Sequence, residues 1–211
     1  QGVDTIFGVP GESYLPVLDG LYRHPDIRFV ICRQEGGAAF MADAYAKLTG
    51  KPGVLMVTRV PGATNASIGI HTAHQDSSPM VVLVGQVGND MMDREAFQEI
   101  DYRAMFGTVA KWVFEVTAPE QMAEAAYKAV RMATQGTPGP VVISIPEDLQ
   151  QQEQPLVDWR AHKLDPLLPS AAALERLRAL LSNAQRPLII AGGACDVPGG
   201  REALQAFAQA W

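Results

Sequence analysis

The sequence predicts an α/β fold: a doubly wound, mostly parallel six-stranded sheet with helices on both faces, followed by the truncated start of a second α/β domain. Three observations carry this. Short apolar runs of strand length recur near 5–9, 28–33, 53–58, 80–84, 111–116 and 141–145. Segments of helical periodicity separate most of them, and regular alternation of strand and helix gives parallel strands covered on both sides. Three of the runs end in polar or glycine-bearing loops, which gathers those loops at the carboxyl edge of the sheet, where open α/β sheets bind ligands.

The elements follow in order. Val3-Asp4-Thr5-Ile6-Phe7-Gly8 is a short strand that enters the turn Val9-Pro10-Gly11, then a helix on which Leu15, Leu18 and Leu21 share one face. After the second strand a helix opens on Glu35-Gly36-Gly37-Ala38-Ala39 and is stopped by Gly50, just ahead of Lys51-Pro52-Gly53. The strand Val54-Leu55-Met56-Val57-Thr58 runs into Arg59-Val60-Pro61-Gly62-Ala63-Thr64-Asn65 and a third helix. Met122, Ala125, Ala126, Ala129, Val130 and Ala133 form an apolar helical stripe further on. There are no internal repeats.

Residues 1–150 thus read as one domain. From 151 to 169 the chain turns to Gln, Glu and Pro without periodicity, the mark of an interdomain linker. A new unit begins at 170–211, with a helix from Ala171 to Asn183, a strand Pro187-Leu188-Ile189-Ile190-Ala191, a turn at Gly192-Gly193 and a helix to Trp211. Roughly forty residues are too few to complete such a domain, so the chain is expected to be cut there.

Glu35 is the most telling single residue. It puts a carboxylate at the start of a helix of small residues, with no cation nearby in sequence. Gly36, Gly37, Ala38 and Ala39 let another molecule approach the backbone, and Phe40 and Met41 are expected to give apolar cover that would raise the acid's pKa by desolvation. The plain alternative is a carboxylate that complements the helix dipole.

Composition bounds the partners. With 211 residues, 47% hydrophobic, 19% charged and a net charge of -6, the chain is an ordinary globular one. Without clustered Lys or Arg it lacks the basic footprint of a nucleic-acid binder. No apolar run nears the roughly 20 residues of a spanning helix, so no membrane attachment is expected. Cys32 and Cys195 lie in different segments and read as buried thiols of a cytoplasmic protein, not as a disulfide. His71 and His74 sit three residues apart on one helix, yet no third ligand has matching spacing, so no metal site is assigned.

Taken in order, Phe7-Gly8-Val9-Pro10-Gly11, Glu35 through Ala46, Pro61-Gly62-Ala63-Thr64-Asn65, Asp76-Ser77-Ser78-Pro79-Met80, Phe97-Gln98-Glu99-Ile100-Asp101 and Pro138-Gly139-Pro140-Val141 through Pro146 resemble the N-terminal pyrimidine-binding domain of thiamine diphosphate enzymes of the acetolactate synthase type. The resemblance implies a thiamine diphosphate-dependent lyase or transferase that decarboxylates a 2-oxo acid and forms a new carbon–carbon bond. It implies that Glu35 is catalytic, hydrogen-bonding the aminopyrimidine ring and favouring the tautomer that removes the thiazolium proton. Pro10, Gly11, Pro61, Asn65 and Gln98 would bind cofactor, and Phe97 would face substrate. Gly88 through Arg94 would form a lid over them.

The same resemblance implies a homodimer or homotetramer with the cofactor at the subunit interface, and Mg2+ bound by a domain absent from this chain. It also implies a helix ahead of Gly2-Val3-Asp4. Flavin is left open. Two departures bear on the reaction. Glu147 stands where the family generally has a substrate-recognising Lys, and Arg59-Val60-Pro61-Gly62 replaces Ser-Gly-Pro-Gly, which would alter cofactor geometry if the lost glycine needed unusual backbone angles. The alternatives are a thiamine diphosphate-dependent decarboxylase or acyltransferase on another substrate, or a non-catalytic α/β binding module. Against the module, no Gly-x-Gly-x-x-Gly or P-loop follows any strand.

Overall fold

A computed structural model describes residues 1–155, 160–161, 163 and 168–211. The expected linker at 151–169 lies partly outside the described residues. The chain divides into two compact units, Gln1–Leu164 and Asp165–Trp211.

In the first unit all six expected strands form: β1 (Thr5–Gly8), β2 (Arg28–Ile31), β3 (Gly53–Val57), β4 (Met80–Gln86), β5 (Trp112–Glu115) and β6 (Pro140–Pro146). They make one sheet in the order β2-β1-β3-β4-β6-β5, every pair parallel. The connecting helices are α1 (Leu15–Arg23), α2 (Glu35–Thr49), α3 (Val60–Gln75), α4 (Tyr102–Phe106) and α5 (Gln121–Thr134).

Side chains alternate across the strands and fill two cores, the double winding expected from the sequence. Leu55 and Val57 of β3 face Ala38, Ala42, Ala66 and Ile70 of α2 and α3, while Val54 and Met56 face the side covered by α1 and α5. Ala125, Ala129 and Ala133 are the buried line of α5, with Ala126 turned to solvent. On α1, Leu18 and Leu21 pack inward, but Leu15 is exposed because it opens the helix beyond the edge of the core.

Local signals explain the helix limits. Gln34 caps α2 by accepting the Gly37 N–H at 2.8 Å, and Gly50 closes it in the left-handed region at φ 68°. Asp101 accepts the N–H groups of Arg103 and Ala104 at 2.8 and 3.1 Å, starting α4 and seating Tyr102 and Phe106 in the core. Asp101→Ala is expected to lower stability by about 1 kcal/mol, read as a lower urea midpoint at unchanged slope.

α2 and α3 pack nearly backbone to backbone. A Cβ at Gly69 would lie 2.4 Å from the Ala39 Cβ, so only glycine allows this crossing. Under α2, a Cβ at Gly53 would lie 2.0 Å from the Ala42 carbonyl oxygen.

Asp4, just before β1, ties the start of the sheet to the end of α2. It accepts from Lys51 at 2.6 Å, from the Tyr45 hydroxyl and from Thr5 at 2.9 Å. The Lys51 bond foremost, then those of Tyr45 and Thr5, hold its carboxyl down at about 2. A depressed native pKa means the unfolded chain takes up the proton first, so this stabilisation is complete above the ordinary 3.8 and fades as pH falls through about 2. Asp4→Asn is therefore expected to lower the urea midpoint at neutral pH, with the gap to wild type closing between about pH 4 and pH 2.

Three expectations are corrected. Phe40 and Met41 are exposed, at 42% and 49%, so they do not cover Glu35; they occupy the face of α2 turned away from the sheet. Cys32 and Cys195 are half-buried, not buried. In the second unit α6 (Ala171–Ser182), capped by Ser170, and α7 (Gly200–Ala210) form, but Pro187–Ala191 does not become a strand. A strand exists through its ladder, and no partner for this run is present among the described residues. No described helix is long and apolar enough to cross a membrane.

Candidate active site at the carboxyl edge

The chain leaves β1 through α1 toward β2 on one side and returns through α2 to β3 on the other, with α1 and α2 on opposite faces. The helices after β1 and β3 cover opposite faces at this switch point, where open α/β sheets present a ligand crevice. Glu35 is the first residue of α2 and half-buried there. The Asn65 Nδ2 of α3 donates to its Oε2 at 2.9 Å, while Oε1 accepts no hydrogen bond among the described residues. No ion pair reaches Glu35 among the described residues either.

Absent side chains shape the surroundings. A Cβ at Gly62 would stand 3.5 Å from Glu35 Oε1, and one at Gly36 would press to 3.1 Å from the Asn65 carbonyl oxygen. A Cβ at Gly11 would fall 2.7 Å from the Thr58 Cβ, so only glycine lets the β1 loop lie against the end of β3. The Ser13 and Thr58 hydroxyls hydrogen-bond there at 2.8 Å.

Tyr14 lies beneath, 2% exposed, its hydroxyl donating to the Val9 carbonyl. Burial, aided by the nearby Glu35 charge, pushes the Tyr14 pKa well above its ordinary 10, so the phenol stays neutral.

Pro10 and Pro61 are both exposed at the crevice, Pro61 as the second residue of α3. Val60, where a glycine was expected to matter, is the first residue of α3 with an ordinary negative φ, so the substitution strains nothing. Gln98 and Phe97 lie on the connection from β4 to α4. Gln98 takes the left-handed φ of 67° and Phe97 is 77% exposed; no hydrogen bond joins either to Glu35, Asn65 or Gly11 among the described residues. Asp93 and Glu95 share that left-handed backbone, a concentration of strain typical of functional loops. Glu99 steadies it by accepting the N–H groups of Asp93 and Ala96 at 2.6 and 2.9 Å. The Gly88–Arg94 segment begins in a short 3-10 turn, anchored where the Asn89 N–H donates to Asp148 at 3.1 Å.

Sequence reasoning missed one feature of this edge. Arg59, with 9% of its side chain exposed, pairs with Glu147 at 2.6 Å and Glu12 at 3.1 Å. Glu147 and Val60 had each been singled out as departures, but 88 residues separate Arg59 from Glu147 and no local pattern links them. Among the described residues no three His, Cys, Asp or Glu side chains converge as metal ligands.

Glu35 thus stands at the carboxyl edge beside the β1–β3 switch point, one oxygen held by Asn65 and the other without a hydrogen bond among the described residues. The family model for the thiamine pyrophosphate enzyme N-terminal TPP binding domain matches residues 1–105. The acetolactate synthase large subunit of Corynebacterium glutamicum is 39% identical over 212 residues, covering 98% of this chain and 34% of that protein. The probable acetolactate synthase large subunit of Methanocaldococcus jannaschii is 37% identical across 99% of the chain, and the isozyme 2 large subunit of Escherichia coli 37% across 98%, covering 36% and 38% of those proteins. The crystal structure of benzoylformate decarboxylase from Polynucleobacter necessarius superposes with a TM-score of 0.82 at 26% identity, over 88% of this chain and 35% of that one. The chain belongs to the acetolactate synthase-like thiamine pyrophosphate enzymes, through their N-terminal TPP binding domain. It spans about a third of the length of these relatives.

Proposed function

We propose that the intact protein is a thiamine diphosphate-dependent enzyme that decarboxylates a 2-oxo acid and joins the remaining fragment to a second carbonyl compound, with this chain supplying the carboxylate half of the site. The observation that carries this is Glu35, one oxygen held by Asn65 and the other open to the crevice. The residues fit an aminopyrimidine: Glu35 Oε1, with no hydrogen-bond partner among the described residues, is a carboxyl oxygen able to share a proton with the ring nitrogen. The cofactor, when bound, would supply a carbon acid whose conjugate base is nucleophilic toward a carbonyl, and an electron sink for the decarboxylation.

The chain's own residues then have defined work. Glu35 Oε1 takes and returns the proton at the ring nitrogen. Asn65 keeps the other oxygen occupied, so the carboxyl faces the ring in one orientation. Neutral Tyr14 closes the floor against water. Pro10, Gly11 and Pro61 wall the heterocycle, and Gln98 and Phe97 reach toward the reacting carbon. Mg2+ and the diphosphate are assigned to residues outside this chain, in a homo-oligomer whose subunits share the cofactor, in the cytoplasm.

One observation favours a related reading, decarboxylation or acyl transfer on another substrate. Glu147 brings no cation to the edge; its carboxylate is occupied by Arg59. Calorimetric titration of the intact protein with thiamine diphosphate and magnesium, followed by product analysis on pyruvate, tests both. Saturable binding with acetolactate as product supports the main reading, and saturable binding with only aldehyde or acyl product supports the second. A flat titration overturns the two together.

A further inference from the structure

Three effects oppose a guanidinium where Arg59 sits. It caps the positive end of α3, most of its side chain is out of water, and its Nε finds no acceptor although buried. What holds it there is a pair of carboxylates from distant elements. Glu12 belongs to the turn after β1, and Glu147 follows β6, its N–H donating to the Gln86 carbonyl at the end of β4 at 3.1 Å. The single cation thus ties together the ends of β1, β3, β4 and β6.

We infer that Arg59 is a positioning residue for Glu35, acting through Asn65. This rests on the assignment of Glu35 as the proton-handling group. The Arg59 carbonyl accepts the Ala63 N–H at 3.1 Å, the first hydrogen bond of α3. α3 is seated in the core by Ala63, Ala66 and Ile70 and by the Gly69 contact with Ala39, and the Arg59 ion pairs set the position of its start. Asn65 lies between that start and Gly69, and its carboxamide meets Glu35 at 2.9 Å. Loss of the Arg59 ion pairs lets the first turn of α3 shift over its core contacts, and the Asn65 hydrogen bond to Glu35 lengthens. Charge-assisted pairs made by a planar guanidinium with two carboxylates are directional enough to set such a position.

The test is a double-mutant cycle on turnover in the intact protein, with Arg59→Ala, Asn65→Ala and both together. Each single change is expected to lower kcat about tenfold, and the double also about tenfold, because the second change removes nothing the first has not already lost. A roughly hundredfold loss in the double means that the two residues act independently, which overturns the inference. If Arg59→Ala does not fold, Arg59→Gln, which removes the cation and keeps much of the side chain's bulk, enters the same cycle with the same two outcomes. Glu35→Gln runs alongside: wild-type turnover there defeats the site assignment itself, whereas an inactive Glu35→Gln with additive effects in the cycle defeats only the link through Arg59.

Discussion

Glu35→Gln in the intact protein is expected to lower kcat roughly a hundredfold to ten-thousandfold, the usual worth of a general acid–base group, or about 3–5 kcal/mol in the barrier. The change is conservative where folding is concerned. Glutamine keeps an acceptor oxygen for the Asn65 Nδ2, and Gln34 still caps the helix through Gly37. What it loses is the ability to carry a proton. Thermal stability should therefore stay within about 0.5 kcal/mol of wild type, as for substitutions that leave packing untouched. Steady-state turnover measured beside thermal unfolding separates the two effects. Equal kcat in the variant and wild type would remove Glu35 from the chemistry.

Gly53→Ala is expected to be the most destabilising single methyl in the sheet, at about 3 kcal/mol. Its Cβ would be placed 2.0 Å from the Ala42 carbonyl oxygen and 2.6 Å from the carbonyl carbon, both backbone atoms of α2 that no side-chain rotation can clear. The strand or the helix must move. Gly20→Ala on α1 is the internal control. Nothing lies within 4 Å of its Cβ position, and alanine in a helix is favoured over glycine by roughly 0.5–1 kcal/mol. Urea denaturation of the two variants should shift the midpoint in opposite directions, and a Gly53→Ala midpoint equal to wild type would contradict the packing described for α2.

The sheet was legible because its signals are local. Each apolar run from Thr5–Gly8 to Pro140–Pro146 carries strand chemistry within itself, and the glycines that end or cross helices, such as Gly50, act through their own backbone. Pro187–Ala191 carries the same local signal and remains unpaired, since a ladder depends on a neighbour that a local pattern does not specify. The site divides along the same line. Glu35 and Asn65 were singled out from motifs and meet at 2.9 Å, but the ion pairs of Arg59 with Glu12 and Glu147 span 47 and 88 residues and arise only when the strand ends converge. Phe40 and Met41 were misplaced for the same reason, because helical neighbours of Glu35 in sequence point around the axis and not toward it.

Ala39 and Gly69 fix how closely α2 and α3 cross. Atoms at or next to the main chain, not long side chains, set the gap between α2 and α3 here, so no rotamer change alters the spacing of the two helices at this crossing. Outward residues such as Phe40, Leu48 and Ile68 take no part in that contact, so their replacement leaves the spacing unchanged. Selection can therefore rewrite those outward positions while the crossing keeps its dimensions.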